Sequence, residues 1–190
     1  MLLGENGSGK STLIKVLSGY HVPDPGGRVE LDGKPVDFGS PVSAYRLGCR
    51  FVHQDLGLIP ALTVLDNLSL GAGFPTRFGT IRRGAALRSA RQALARVNLD
   101  VDPRTKLENL TAAQRSGVAI ARALREDNAN PPRLLVLDEP TAALPSDEVA
   151  HLLEILRTAA RSGVAILFVT HHLNDCLLYT SPSPRDRQKS

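Results

Sequence analysis

Residues 4–11 read Gly4-Glu5-Asn6-Gly7-Ser8-Gly9-Lys10-Ser11, and Thr12 follows. The octet fills every fixed position of the pattern G-x-x-x-x-G-K-[ST]. Its glycines let consecutive backbone N–H groups turn inward around an anion. A helix that starts behind them aims its positive N-terminal end at the same point. Lys10 then neutralises the β- and γ-phosphates of a nucleoside triphosphate, and the Ser11 hydroxyl reaches a magnesium ion. The flanks agree with this reading. Met1-Leu2-Leu3 reads as the end of a buried strand, and KSTLIKVL (10–17) carries Leu13, Ile14 and Leu17 on one helical face, with Gly19 where the helix stops.

Working outward, LLVL (134–137) and VAILFV (164–169) are continuous apolar runs, as parallel strands covered on both faces require. A helical pattern over 146–161 lies between them, which makes a β-α-β crossover. RVEL (28–31), Asp32-Gly33 and KPVDF (34–38) read as a hairpin. Ser40 before Pro41 is a helix start that Gly48 closes, and CRFVH (49–53) is a short strand. From Thr63 to about Leu124 the pattern is mostly helical. The expected fold is α/β: a P-loop NTPase core with a parallel sheet, a small antiparallel β-hairpin region and a helical subdomain over about residues 60–127. One domain would cover 1–175.

The run LLVLDEP ends in Asp138-Glu139, an acidic pair at the C-terminal tip of a buried strand, where open α/β sheets bind ligands. There Asp138 can hold Mg²⁺ through its water shell, and Glu139 can orient or deprotonate an attacking water. Alone, the pair would fit an acidic turn equally well; the phosphate loop upstream favours the chemical reading. Gln54 follows the strand 49–53 and can reach the metal or the water. His171 follows the strand 164–169 and can donate to the γ-phosphate or orient Glu139. His21, His53, His151 and His172 have no such placement and read as ordinary polar residues. With Cys49 and Cys176 the histidines show no paired ligand spacing, so no zinc site is expected.

In this order, GENGSGKST, Gln54, LTAAQR (110–115), LLVLDEP and VTHH (169–172) resemble the ATP-binding-cassette ATPase family over essentially all of residues 1–175. The segments FVHQDLGLIPALTVLDNLSLG and DEPTAALPSDEV are similar to the first cassette of the bacterial carbohydrate importers. Members of that subfamily usually carry two cassettes in one polypeptide and serve ribose-, xylose- or galactose-type permeases. The resemblance implies that Lys10, Thr12 and the loop amides hold ATP, and that Ser11, Gln54 and Asp138 serve Mg²⁺. It makes Glu139 the catalytic base and His171 the switch histidine. Thr111, Ala112, Ala113 and Gln114 become the signature that caps ATP on an opposing cassette. The implied partners are a second cassette, an integral membrane permease and, indirectly, a periplasmic solute-binding protein, with no nucleic acid. The implied place is the cytoplasmic face of the inner membrane.

Two departures stand out. The usual Ser-Gly-Gly-Gln signature is Thr111-Ala112-Ala113-Gln114 here, and alanine tolerates positive φ poorly and crowds a backbone approaching a phosphate. The segment after Pro140 reads TAALPSD rather than the commoner SALD, and this TAALPSD form also matches the sugar subfamily. The adenine-stacking aromatic of the family lies upstream of the phosphate loop, so the expectation is a fragment that begins after it. Residues 176–190, CLLYTSPSPRDRQKS, resemble a translated sequencing-library adaptor and are expected to be a non-native or disordered tail. An alternative class, a soluble cassette ATPase acting on ribosomes or nucleic acid, would suit the net charge of +4. Without Arg185, Arg187, Lys189 and Asp186 of the tail that charge falls to +2, and neither a charged linker nor a coiled-coil arm is present. A GTPase would need the guanine-reading N-K-x-D, which does not occur. The apolar residues Leu56, Leu58, Ile59, Leu62 and Leu65 after Gln54 fit either a permease-docking face or core packing. No run approaches the ~18 unbroken apolar residues of a membrane span.

Overall fold

The computed structural model describes residues 2–3, 7–27, 29–31, 33–36, 39–71, 73–77, 80–125, 129–142 and 144–170. Strands β1 (Leu2–Leu3), β4 (Cys49–Val52), β7 (Leu134–Asp138) and β8 (Ala165–Thr170) form a parallel sheet in the order β1-β8-β7-β4. The continuous apolar runs are explained by helices on both faces. Leu135 and Leu137 of β7 face a large core shared with Val52, Leu152, Leu156 and Phe168, while Val136 between them faces Ile14 and Val169. Alternate side chains of one strand thus feed two separate apolar layers.

Helix α1 (Lys10–Leu17) covers the smaller layer through Ile14. Helix α6 (Ser146–Arg161) connects β7 to its neighbour β8 and buries Val149, Leu152, Leu153, Ile155, Leu156 and Ala159, a stripe at helical spacing. Against it lies α5 (Ala112–Ala123). The two helices approach closely because residue 117 is glycine: a Cβ there would stand 2.9 Å from Ile155 Cδ1 and 3.0 Å from Leu99 Cδ2. The helical layer is completed by α3 (Val64–Ser69) and α4 (Arg83–Arg96).

The expected hairpin is β2 (Glu30–Leu31) paired with β3 (Lys34–Pro35). Helix α2 (Pro41–Arg46) begins as read, with the Ser40 side chain accepting from the Ser43 amide. The segment expected to be mostly helical also contains a second antiparallel hairpin, β5 (Thr76–Arg77) with β6 (Thr80–Ile81). Two-residue strands offer too little alternation to register in a sequence pattern. No described helix is long and apolar enough to cross a membrane.

Candidate nucleotide site

Register brings the chemistry to one edge of the sheet. Leu3 stands opposite Thr170, Val169 opposite Asp138, and Leu137 opposite Val52, so the phosphate loop, the Asp138-Glu139 pair and the residues after β4 leave neighbouring strand ends. Gly7 and Gly9 have φ of 86° and 87°, with open space where a Cβ would stand. Their requirement is therefore conformational rather than steric. Gly9 caps α1 and its carbonyl accepts from the Leu13 amide at 2.9 Å. Lys10 is buried at the first position of α1, while Ser11 and Thr12 in the same turn are exposed.

Asp138 ends β7 half-buried. Burial pushes its carboxyl above the ordinary range and the neighbouring Glu139 adds to that push, whereas His53 and Lys10 pull it down. Glu139, His53 and Lys10 therefore all bear on the charge of Asp138. Glu139 has φ of 49°, the left-handed region that non-glycine residues seldom enter. Its amide donates to the Val169 carbonyl at 2.9 Å, and its own carbonyl accepts from Ala142 at 3.2 Å. The bend at Glu139 turns the chain off the sheet while keeping it bonded to β8. Backbone strain of this kind collects at functional positions.

Gln54 is exposed two residues beyond β4. The following loop is tied to α5: Arg122 donates through Nη1 to the Gly57 carbonyl (2.7 Å) and through Nη2 to the Leu56 carbonyl (2.6 Å). Buried Asn67 closes the far side, accepting from the Ile59 amide and donating to the carbonyls of Ile59 and Thr63. Leu56, Leu58 and Leu65 pack against the main core, which leaves Ile59 as the exposed large apolar residue of the docking face read from sequence.

The Thr111–Gln114 segment is the start of α5. The Thr111 hydroxyl accepts from the Gln114 amide at 3.3 Å and the Gln114 side chain accepts from the Thr111 amide at 3.0 Å, a complete capping box. Ala112 and Ala113 lie in the first helical turn, outside the positive-φ set of Asn98 and Glu139, so the strain expected of alanines in this signature does not arise. The free N–H of Ala113 instead meets a residue that sequence reasoning missed: it donates to Glu148 Oε2 of α6 at 2.5 Å. That bond chiefly, with Thr111 and Arg115 adding to it, holds Glu148 below the ordinary glutamate range. Nothing local marks Glu148 in the sequence, because an acid in the first turn of a helix is already explained by its dipole.

Of the residues read as a site, Lys10, Asp138 and Glu139 come together, and within Thr111–Gln114 the Ala113 amide turns to Glu148 instead. His53, read as an ordinary polar residue, joins the Asp138 group; its ring stacks on Phe51 at a centroid distance of 6.3 Å. The signal for it was its position beside Gln54 at a strand end. Gly4, Glu5, Asn6, His171 and the tail 176–190 lie outside the described residues.

A glycine-turned phosphate loop, a buried lysine and a strand-end acidic pair on one edge of a parallel sheet define a P-loop nucleotide-binding domain. The family model described as ABC transporter matches residues 1–142, and the chain belongs to that family. It is similar, at 47% identity over 175 residues, to a ribose import ATP-binding protein of Rubrobacter xylanophilus, covering 92% of this chain and 34% of that protein. An arabinose import ATP-binding protein of Ralstonia nicotianae is 41% identical over 174 residues, covering 92% of this chain and 33% of that protein. The chain thus spans about a third of the length of these relatives. Among solved structures it resembles cbiO1 of Clostridium perfringens, part of an ABC transporter complex, with a TM-score of 0.73 and 30% identity over 93% of this chain and 68% of that one. A dimeric ATP-binding cassette in a post-hydrolysis state with ADP and Pi gives a TM-score of 0.65 at 30% identity, over 93% of this chain and 75% of that one.

Proposed function

We propose that this chain is an ATP-binding and ATP-hydrolysing cassette that energises import of a sugar or related small solute through a membrane permease. The observation that carries the reading is the strand register that brings the residues after β1, β7 and β4 to one side of the sheet, in a chain similar to ribose and arabinose import ATP-binding proteins. In this reading the cassette works at the cytoplasmic face of the membrane. It belongs to a longer polypeptide with a second cassette, and a periplasmic binding protein delivers the solute.

The residues suit a hard cation. A half-buried carboxyl raised by burial and by a second carboxylate is short of positive charge, and the Ser11 hydroxyl stands exposed in the first turn of α1. Among the described residues no three His, Cys, Asp or Glu converge to hold a metal alone. Mg²⁺ suits such a place, because it binds through one or two carboxylates and completes its shell with nucleotide phosphates and water. Ser11, Gln54 and Asp138 would hold it, and it would neutralise charge on the transferring phosphoryl group. Lys10 and the amides of residues 4–9 bind and orient the phosphates. Glu139 aligns the attacking water and takes its proton, and His171 orients the γ-phosphate. Most of the rate then comes from positioning and charge stabilisation.

The test uses the full-length polypeptide with its permease in vesicles. MgATP hydrolysis coupled to uptake of a radiolabelled pentose or hexose is expected, and Glu139→Gln should abolish turnover while retaining bound ATP. Unchanged turnover in Glu139→Gln would refute the general-base assignment. Hydrolysis without uptake of any sugar would refute the transport reading.

A further inference from the structure

We propose that Glu148 is a positioning residue that latches the signature, holding the Ala113 amide until ATP on an opposing cassette displaces its carboxylate. The inference rests on the reading of Thr111–Gln114 as the segment that meets that ATP.

Three observations carry it. First, the cap that α5 builds for itself leaves the Ala113 amide to Glu148. Its capping box is already closed between Thr111 and Gln114, and the Arg115 amide is taken by the Thr111 carbonyl at 3.0 Å. Second, Glu148 is the third residue of α6, where a glutamate ordinarily reaches back to the N–H of its own N-cap. That N-cap is Pro145, which has no N–H. The carboxylate is thereby released from its own helix and crosses to Ala113, 35 residues away in sequence. Third, the contact is charge-assisted: the Ala113 amide donates to a carboxylate, and Thr111, Arg115 and His151 lie within its electrostatic reach. A negative oxygen thus occupies a backbone donor that the signature would offer to a phosphate.

The latch also joins the two halves of the chemistry. Glu148 sits at the start of the helix that follows Asp138-Glu139, so the bond links the signature segment to the element that carries the acidic pair. The two alanines, which leave less room for a phosphate than glycines would, strengthen the competition by the carboxylate.

The test measures ATP hydrolysis against MgATP concentration in the full-length polypeptide, for wild type, Glu148→Gln and Glu148→Ala. Glu148→Gln keeps the shape and an acceptor oxygen but removes the charge. It should lower the apparent KM for MgATP about fivefold, the step from a charge-assisted to a neutral hydrogen bond, with kcat held within about twofold. Glu148→Ala should lower KM at least as far; if it fails to fold, the isosteric variant decides. A purely structural role predicts rescue by glutamine, with wild-type KM, and that result would overturn the latch. So would a raised KM in either variant. Lys10→Ala separates the two levels: if it hydrolyses ATP normally, the cassette reading itself has failed. If it is inactive while Glu148→Gln keeps the wild-type KM, only the latch has failed.

Discussion

Glu139 holds a conformation that its side chain does not favour, and this can be weighed. At φ of 49° an L-residue meets its own carbonyl oxygen, at roughly 1–2 kcal/mol. Glycine escapes that strain but brings about 0.5–1 kcal/mol of extra backbone freedom to the unfolded chain. Replacing Glu139 by alanine or by glycine removes the same carboxylate, and with it the same repulsion toward Asp138. The difference between the two variants therefore isolates the backbone. Glu139→Gly should be more stable than Glu139→Ala by on the order of 0.5–1 kcal/mol. With a urea slope of roughly 2 kcal/mol per molar, the unfolding midpoints should separate by about 0.3–0.5 M. The chain has no tryptophan, so far-UV circular dichroism is the suitable probe. Both variants should lose hydrolysis, which makes Glu139→Gly a variant that gains stability at the expense of turnover. An alanine variant as stable as the glycine variant would refute the assignment of strain to residue 139.

Three further outcomes follow from the same geometry. Gly48→Ala should cost at least about 2 kcal/mol in urea unfolding, since positive φ is strained for alanine and its Cβ would stand 2.5 Å from the Pro131 carbonyl oxygen at φ of 90°. Lys10→Ala should weaken ATP binding at least about tenfold by calorimetry, because in the proposed site this buried lysine is the cation that meets the phosphates. Glu148 is held below its ordinary 4.5, so its contribution to stability is fully present above that value and disappears as pH falls through the lower, folded one. Glu148→Gln should thus be less stable than wild type at neutral pH, with the gap closing below about pH 4.5 in thermal scans; a gap that persists into acid would contradict the shift.

Which features were legible depended on how local their causes are. The phosphate loop, α1, the strands LLVL and AILFV, and the Ser40 cap were readable because each is set by neighbouring residues: glycine freedom, apolar runs and a side chain bonding three residues ahead. The Asp138-Glu139 pair could be placed at a strand end for the same reason. The sequence alone thereby determined the fold class, the order of the core elements and the residue types offered to a nucleotide in the proposed site. Tertiary structure decided the rest. His53 belongs with Asp138 only because β4 pairs with β7 in one register, and two residues 85 positions apart then leave adjacent strand ends. The alanines of the signature are unstrained because the segment enters its helix directly, a backbone outcome that composition does not reveal. Glu148 meets Ala113 because Gly117 lets α5 and α6 approach, and Pro145 leaves the glutamate with no partner on its own helix. Long-range contacts of this kind depend on the packing of whole elements, and no local pattern encodes them.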